Sequence, residues 1–155
     1  MQYFHFEAPF GGVSLSFDKN RVISIVLAIT SDGLESRLED QTAIAALECY
    51  LSGQTSNLEL PYSLSGTAFQ KKVWQRLMTI PYGETQSYGQ IAADLKTSPR
   101  SVGGACRRNP LPLIIPCHRV VGKDNVGGFM GGSSLSDLAG IKRKLLMHEQ
   151  GLMHQ

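Results

Sequence analysis

A cysteine, a histidine and an arginine stand in a row at Cys117, His118 and Arg119, inside "NPLPLIIPCHRVVG". A thiol attacks carbon only as thiolate, and an unperturbed cysteine near pKa ~8.5 is mostly protonated at neutral pH. Some group must take the proton, and His118 is the nearest titratable one in sequence. Adjacent side chains rarely face each other, so a bridging water is the expected link. A buried structural thiol would need no such neighbours, and half of a disulfide would need a partner. The cysteines Cys49, Cys106 and Cys117 are odd in number and lack CxxC spacing, so free thiols are expected and no zinc site is indicated. Cys49 and Cys106 read as small packing residues.

The elements that must position this chemistry fall into two parts, with boundaries expected at 1–62 and 63–155. The first reads as strands and a helix, a small α/β domain. "YFHFEAPFGGVSLSFDKNRVISIVLAI" has partial period-2 alternation, a Gly-Gly break and an Asp-Lys-Asn turn. "QTAIAALECYLSG" follows as a helix of about ten residues, with Ala43, Ala46, Leu47, Tyr50 and Leu51 on one side and Gly53 as its stop. The polar run ending at Gly66 is the expected connection.

The second part reads as helical. "TAFQKKVWQRLMTIP" places Phe69, Val73, Trp74 and Leu77 at helical spacing behind Thr67 as N-cap. Two short helices follow, about 87–95 and 99–107, joined by a Lys-Thr-Ser-Pro turn in which Ser98 is a natural cap and Pro99 fits the first helical position. That is a helix-turn-helix pattern. "LAGIKRKLLMHEQG" predicts a last helix.

Charge divides along the same line. Residues 1–62 hold three Lys/Arg against eight Asp/Glu, a balance of −5, and residues 63–155 hold twelve against five, a balance of +7. A basic half suits a polyanion partner. Gly103, Gly104 and Ala105 in the second short helix present almost no side chain; they cannot read base edges but let a backbone come close to DNA. No apolar run reaches membrane-span length and "MQYFHFEAPF" lacks a signal peptide's regions, so a cytoplasmic protein without a membrane partner is expected.

"IPCHRVVG", preceded by "SVGGACRRNPLP" and "IPYGETQSYGQIA", resembles the O6-alkylguanine-DNA alkyltransferases, also called methylated-DNA–protein-cysteine methyltransferases. The resemblance is close from about 66 to 151 and loose before that. It implies an α+β fold: a small N-terminal α/β domain, then a mostly helical, winged-helix-like domain with a helix-turn-helix. It implies irreversible, single-turnover transfer of an alkyl group from guanine O6 in DNA to Cys117, with O4-alkylthymine left open, no cofactor and no metal. By the same resemblance His118 relays the proton and Glu149 orients it, a triad arrangement. Tyr88 donates to the leaving guanine, and the backbone of Val120, Val121 and Gly122 holds the flipped base.

Asn109, beside Pro110, is expected to tie down the turn after the recognition helix and support the site without doing chemistry. Docking would be in the minor groove of double-stranded DNA, with little sequence preference and as a monomer. Arg100 would fill the gap left by the flipped nucleotide. Ser101, Gly103, Gly104 and Ala105 would face DNA, and Arg107, Arg108, Lys71 and Lys72 would contact phosphates. Phe129 and Met130 stand where the family usually has Tyr-Ser, so that loop would offer apolar contact to the substrate. "SSLSDLAG" lengthens the following loop, and the "DLKTSPR" turn is shorter than most.

Three rivals differ in chemistry. A cysteine hydrolase pairing Cys117 with His148 would need an oxyanion hole, which nothing in the sequence supplies, and would turn over repeatedly on esters or amides. A damage-flagging binder would carry tryptophan at position 117. A sequence-specific regulator would need side chains on its recognition helix.

Overall fold

The computed structural model describes residues 2–8, 11–29, 41–55, 58–122 and 135–151. Contacts divide the chain into two units, one of 1–65 with 110–114 and one of 66–109 with 115–155.

The first unit is an antiparallel sheet of β1 (Gln2–Ala8), β2 (Gly11–Asp18) and β3 (Arg21–Ile29), in that order, with the helix α1 (Gln41–Leu51). The β2–β3 turn works because Lys19 and Asn20 both adopt left-handed backbone, φ 52° and 63°, the geometry that matches strand twist. Val13, Leu15, Phe17, Val22, Ile25 and Leu27 are buried, as are Ala43, Leu47 and Tyr50 of α1. Ala46 and Leu51, expected beside them, are only half-buried.

One expectation needs correction here. Gly11 and Gly12 do not break the strands; they pair with Ala8 and Glu7 inside the sheet. The stretch expected as the connection makes an isolated parallel bridge from Tyr62 to Val22: Val22 donates to Pro61 O at 2.8 Å and accepts from Ser63 N at 3.0 Å. Val22 is fully buried, and its backbone groups are thus partnered, as buried ones must be.

The second unit contains α2 (Ala68–Leu77), β4 (Gln86–Ser87), α3 (Tyr88–Leu95), α4 (Pro99–Arg107), a 3₁₀ turn (Cys117–Arg119), β5 (Val120–Val121) and α5 (Leu135–Glu149). Thr67 and Ser87 both close capping boxes, with Gln70 and Gln90 as the reciprocal partners, and Ser98 caps α4 ahead of Pro99. Lys96 ends α3 in the left-handed region, φ 57°. Val73, Trp74 and Leu77 are buried, but Phe69 is 38% exposed and stands outside the packed stripe. The Trp74 indole donates to Ala105 O at 2.8 Å, fastening α2 to α4. Gly66 is needed beside that ring, because a Cβ there would sit 2.6 Å from it. The mixed α+β class agrees with the sequence reading, and α3 and α4 pack as the expected helix-turn-helix pair.

Candidate functional site

The 3₁₀ turn explains how three neighbouring residues do three different jobs. At three residues per turn, successive side chains point about 120° apart. Cys117, His118 and Arg119 are each 1% exposed or less. The turn is tied in place by Cys117 N to Ile115 O, 2.8 Å, and Arg119 N to Pro116 O, 3.0 Å. The parallel pairing of β4 with β5, Gln86 with Val120 and Ser87 with Val121, then sets this segment beside the start of α3.

Asn109 touches the sulfur. Its amide nitrogen donates to Ile115 O at 2.9 Å and to Cys117 Sγ at 3.1 Å, one hydrogen for each. The expected turn-tying role is therefore joined by a direct contact with the nucleophile. Burial pushes the Cys117 thiol up to about 11, with the Asn109 hydrogen bond and the Lys142 charge pulling the other way. The resting group is a thiol, which makes a proton acceptor more necessary than an ordinary cysteine would.

Glu149 is gripped from several sides. Its carboxylate meets His118 Nε2 at 2.5 Å, accepts from Arg119 Nε and Nη2 at 2.7 and 2.9 Å, and accepts from Gly83 N at 3.2 Å. A carboxylate on the last residue of a helix opposes the helix dipole. Here the cation and hydrogen bonds outweigh that and hold the Glu149 carboxyl well below the usual range. Gly83 is required twice: its φ is +81°, and a Cβ would stand 3.2 Å from Glu149 O. Arg119 also donates to Ile80 O at 2.8 Å and lies over the Tyr82 ring.

This fixes the histidine. Burial holds His118 below its ordinary pKa, so the ring is neutral at pH 7. A charged carboxylate can only accept, so Nε2 carries the hydrogen and Nδ1 offers a lone pair. That buried Nδ1 has no hydrogen-bond partner among the described residues.

On α4 the sequence expectations split by helical phase. Arg100, Gly104, Arg107 and Arg108 are exposed, and Ser101 and Gly103 are half-exposed. Ala105 is buried with Val102 and Cys106, its carbonyl held by Trp74, so it belongs to the packed face and not to a DNA-facing set. Lys72 is exposed and Lys71 half-buried. An open cavity of about 270 Å³ is lined by Tyr88, Pro99, Arg100, Gly103 and Arg107.

Val120 is fully buried, and Val121 and Gly122 are partly exposed. Phe129 and Met130 lie outside the described residues. Among the described residues no group of His, Cys, Asp and Glu could hold a metal, and no helix is long and apolar enough to cross a membrane.

Three contributors escaped the sequence reading: Arg119, Gly83 and Lys142. Lys142 is fully buried and donates to the Tyr88 hydroxyl oxygen at 3.3 Å. The signal was available, because Lys142 shares the packed side of α5 with Ile141, Leu145, His148 and Glu149, all buried at helical spacing.

The model for the 6-O-methylguanine DNA methyltransferase DNA-binding domain matches residues 68–151. A methylated-DNA–protein-cysteine methyltransferase from Archaeoglobus fulgidus is 47% identical over 103 residues, 66% of this chain and 70% of that protein. The relative from Methanosarcina barkeri is 35% identical over 147 residues, 88% of this chain and 93% of its own length. Among solved structures, the Mycobacterium tuberculosis OGT–DNA complex superposes with a TM-score of 0.82 at 30% identity, covering 98% of this chain and 94% of that one. The chain thus belongs to the O6-methylguanine DNA methyltransferases, the methylated-DNA–protein-cysteine methyltransferases that move an alkyl group from guanine O6 onto a cysteine of their own.

Proposed function

We propose that Cys117 is the alkyl acceptor of this DNA repair protein. The thiol proton passes through a water to Nδ1 of His118 while the sulfur attacks the alkyl carbon in line with the guanine oxygen. Glu149 and Arg119 hold the imidazole and stabilise its transient positive charge. Asn109 donates to the sulfur and favours the anion as it forms. Tyr88 donates its hydroxyl hydrogen to the departing guanine, and the Val120, Val121 and Gly122 backbone steadies the flipped base. The observation that carries this reading is the Glu149 clamp, because it leaves the His118 ring only one nitrogen free to accept.

The product is a thioether. It has no electrophilic carbonyl for water and no easy leaving group, so each molecule acts once. No metal or cofactor enters, since the alkylated base brings its own electrophile. Three free cysteines suit a reducing, cytoplasmic setting.

The protein binds DNA, and we assign the contact to the outer face of α4. Two adjacent glycines in a helix interior each cost about 1 kcal/mol relative to alanine. A Cβ at Gly104 would meet nothing within 4 Å, and one at Gly103 would only touch the Tyr88 ring at 4.0 Å. Packing within the described chain therefore does not explain them, and close approach of a duplex does. The reading extends to minor-groove docking by a monomer, with Arg100 in the gap of the flipped nucleotide and Arg107, Arg108, Lys71 and Lys72 near phosphates, supported by the side-chain-poor exposed face of α4 and the resemblance to the family.

The test is Cys117→Ala with duplex containing O6-methylguanine. It should bind with salt-sensitive affinity and little sequence preference, yet restore no guanine. Guanine restored by that variant would remove Cys117 from the acceptor role.

A further inference from the structure

The segment between α2 and β4, residues 78–85, is neither helix nor strand, yet the site leans on it. Ile80 offers its carbonyl to Arg119, Tyr82 puts its ring under the Arg119 guanidinium, and Gly83 N donates to Glu149. Directly beyond it, Gln86 pairs with Val120 and Ser87 caps α3 ahead of Tyr88. Irregular backbone is costly to order, so a loop with these duties has to be held at both ends.

Arg76, in the last turn of α2, reaches both ends. Nη1 donates to Thr79 Oγ1 at 3.0 Å, and Thr79 Oγ1 donates in turn to Arg76 O at 2.7 Å. Nη2 gives one hydrogen to Gln86 Oε1 and the other to Asp94 Oδ2, both at 2.7 Å, and Nε also donates to Asp94 Oδ2 at 3.3 Å. Thr79 lies at the start of the segment and Gln86 just past its end. A planar fork of donors can serve acceptors on several sides at fixed angles, which a lysine ammonium, a point charge, cannot do. The Arg76 side chain is 20% exposed and Asp94 59%, so water competes most at the Asp94 arm.

We propose that Arg76 is a positioning residue for alkyl transfer. By bridging Thr79 and Gln86 it closes the 79–86 loop, and so keeps Ile80 O on Arg119 and Gly83 N on Glu149. Asp94 helps to aim the guanidinium but is not part of the bridge. Arg76 acts through the loop and touches none of the reacting atoms. The inference rests on the reading of Glu149 as the group that holds His118 for the reaction.

The experiment is single-turnover transfer to the full chain from free O6-benzylguanine, which avoids DNA binding, with amide hydrogen exchange followed on the same proteins. Wild type is compared with Arg76→Met, Gln86→Met, the double variant and Asp94→Ala. Arg76→Met should slow transfer about 10- to 100-fold, the range for a small misplacement of catalytic groups. Exchange at the Gly83 amide should speed up about tenfold in that variant, while amides of β2 and α4 keep their wild-type rates. Adding Gln86→Met to Arg76→Met should cost less than about threefold more, because the two substitutions remove one shared interaction. Asp94→Ala should stay within about twofold of wild type in both readouts, as an exposed pair allows.

Thr79→Val and Gln86→Met each cut one end of the bridge and leave Arg76 on Asp94, so they serve if Arg76→Met does not fold. Each should slow transfer at least about threefold and speed Gly83 exchange. Wild-type Gly83 exchange in Arg76→Met, additive losses in the double variant, or equal slowing by Asp94→Ala would overturn the bridge alone. Exchange that rises throughout the chain would also overturn it, because Arg76 would then serve only stability. Fast Gly83 exchange with wild-type transfer would instead overturn the reading of the Glu149 clamp, and this inference would fall with it.

Discussion

Among the described residues the helical unit carries two arginine–carboxylate pairs at the same 2.7 Å separation. Arg76 meets Asp94 where the side chains are 20% and 59% exposed; Arg119 meets Glu149 where they are 1% and 0% exposed. Distance alone therefore says little about what a pair does. The outer pair, with Gln86 and Thr79 as further partners of Arg76, sits in high dielectric, where pairs contribute about 0–1 kcal/mol. The inner pair is dehydrated, and its net worth against a hydrophobic replacement is small or negative. Its presence makes sense as a device for holding His118 in one tautomer.

Breaking the inner pair should produce the largest effect. Glu149→Gln leaves Arg119 buried without its counter-ion, so stability should fall by about 3–5 kcal/mol in urea unfolding, and alkyl transfer should fall with it. The pH dependence has a defined sign. The Glu149 carboxyl is held below its unfolded value, so its stabilisation is complete above pH ~4.3 and is lost as pH falls through the folded pKa. His118 is also held low, so its protonation opposes the fold as pH drops below ~6.5. Wild type should lose stability on acidification, and Glu149→Gln should lose less between about pH 5 and 3. An equal loss in both proteins would contradict the clamp.

Asn109→Leu is next in size. It strips the hydrogen bonds from Cys117 Sγ and from Ile115 O, and a buried acceptor left unsatisfied costs about 1–3 kcal/mol. The thiol should also titrate higher, read from its absorbance as thiolate. An unmoved thiol titration would return Asn109 to a purely turn-tying role.

Gly104→Ala should separate folding from function. On an open helix face it should stabilise the protein by about 0.5–1 kcal/mol. Repair of duplex substrate should nonetheless slow, while reaction with free O6-benzylguanine should not. Equal rates on both substrates would remove close DNA approach as the reason for glycine there. Asp94→Ala is the smallest change, under about 1 kcal/mol with transfer unaffected. A larger loss would mean that the outer pair also holds the site.

What was legible in the sequence was what a few neighbouring residues decide. Thr67 and Ser98 cap their helices because the capping hydrogen bond spans three residues, and the Asp-Lys-Asn turn needs only two left-handed residues. Cys117, His118 and Glu149 came through a motif, and the geometry gives a physical reason for the His118–Glu149 pairing.

The misses are matters of long range or of helical phase. Gly83 meets Glu149 across 66 positions and Lys142 meets Tyr88 across 54; helical spacing on α5 marks Lys142 as buried, but nothing local names either partner. Ala105 was grouped with Gly103 and Gly104 by size, but one further step around the helix turns it inward. The two-residue β4–β5 pairing is too short for any periodicity to reveal.

The central claim is that one particular buried thiol accepts the alkyl group, once. Its most direct test is intact-mass analysis with peptide mapping after incubation with excess duplex containing O6-methylguanine. The account predicts a plateau at one methyl per chain, on the peptide containing Cys117 and absent from those containing Cys49 and Cys106. Guanine restored beyond one equivalent of protein, or the methyl on another cysteine, would contradict it.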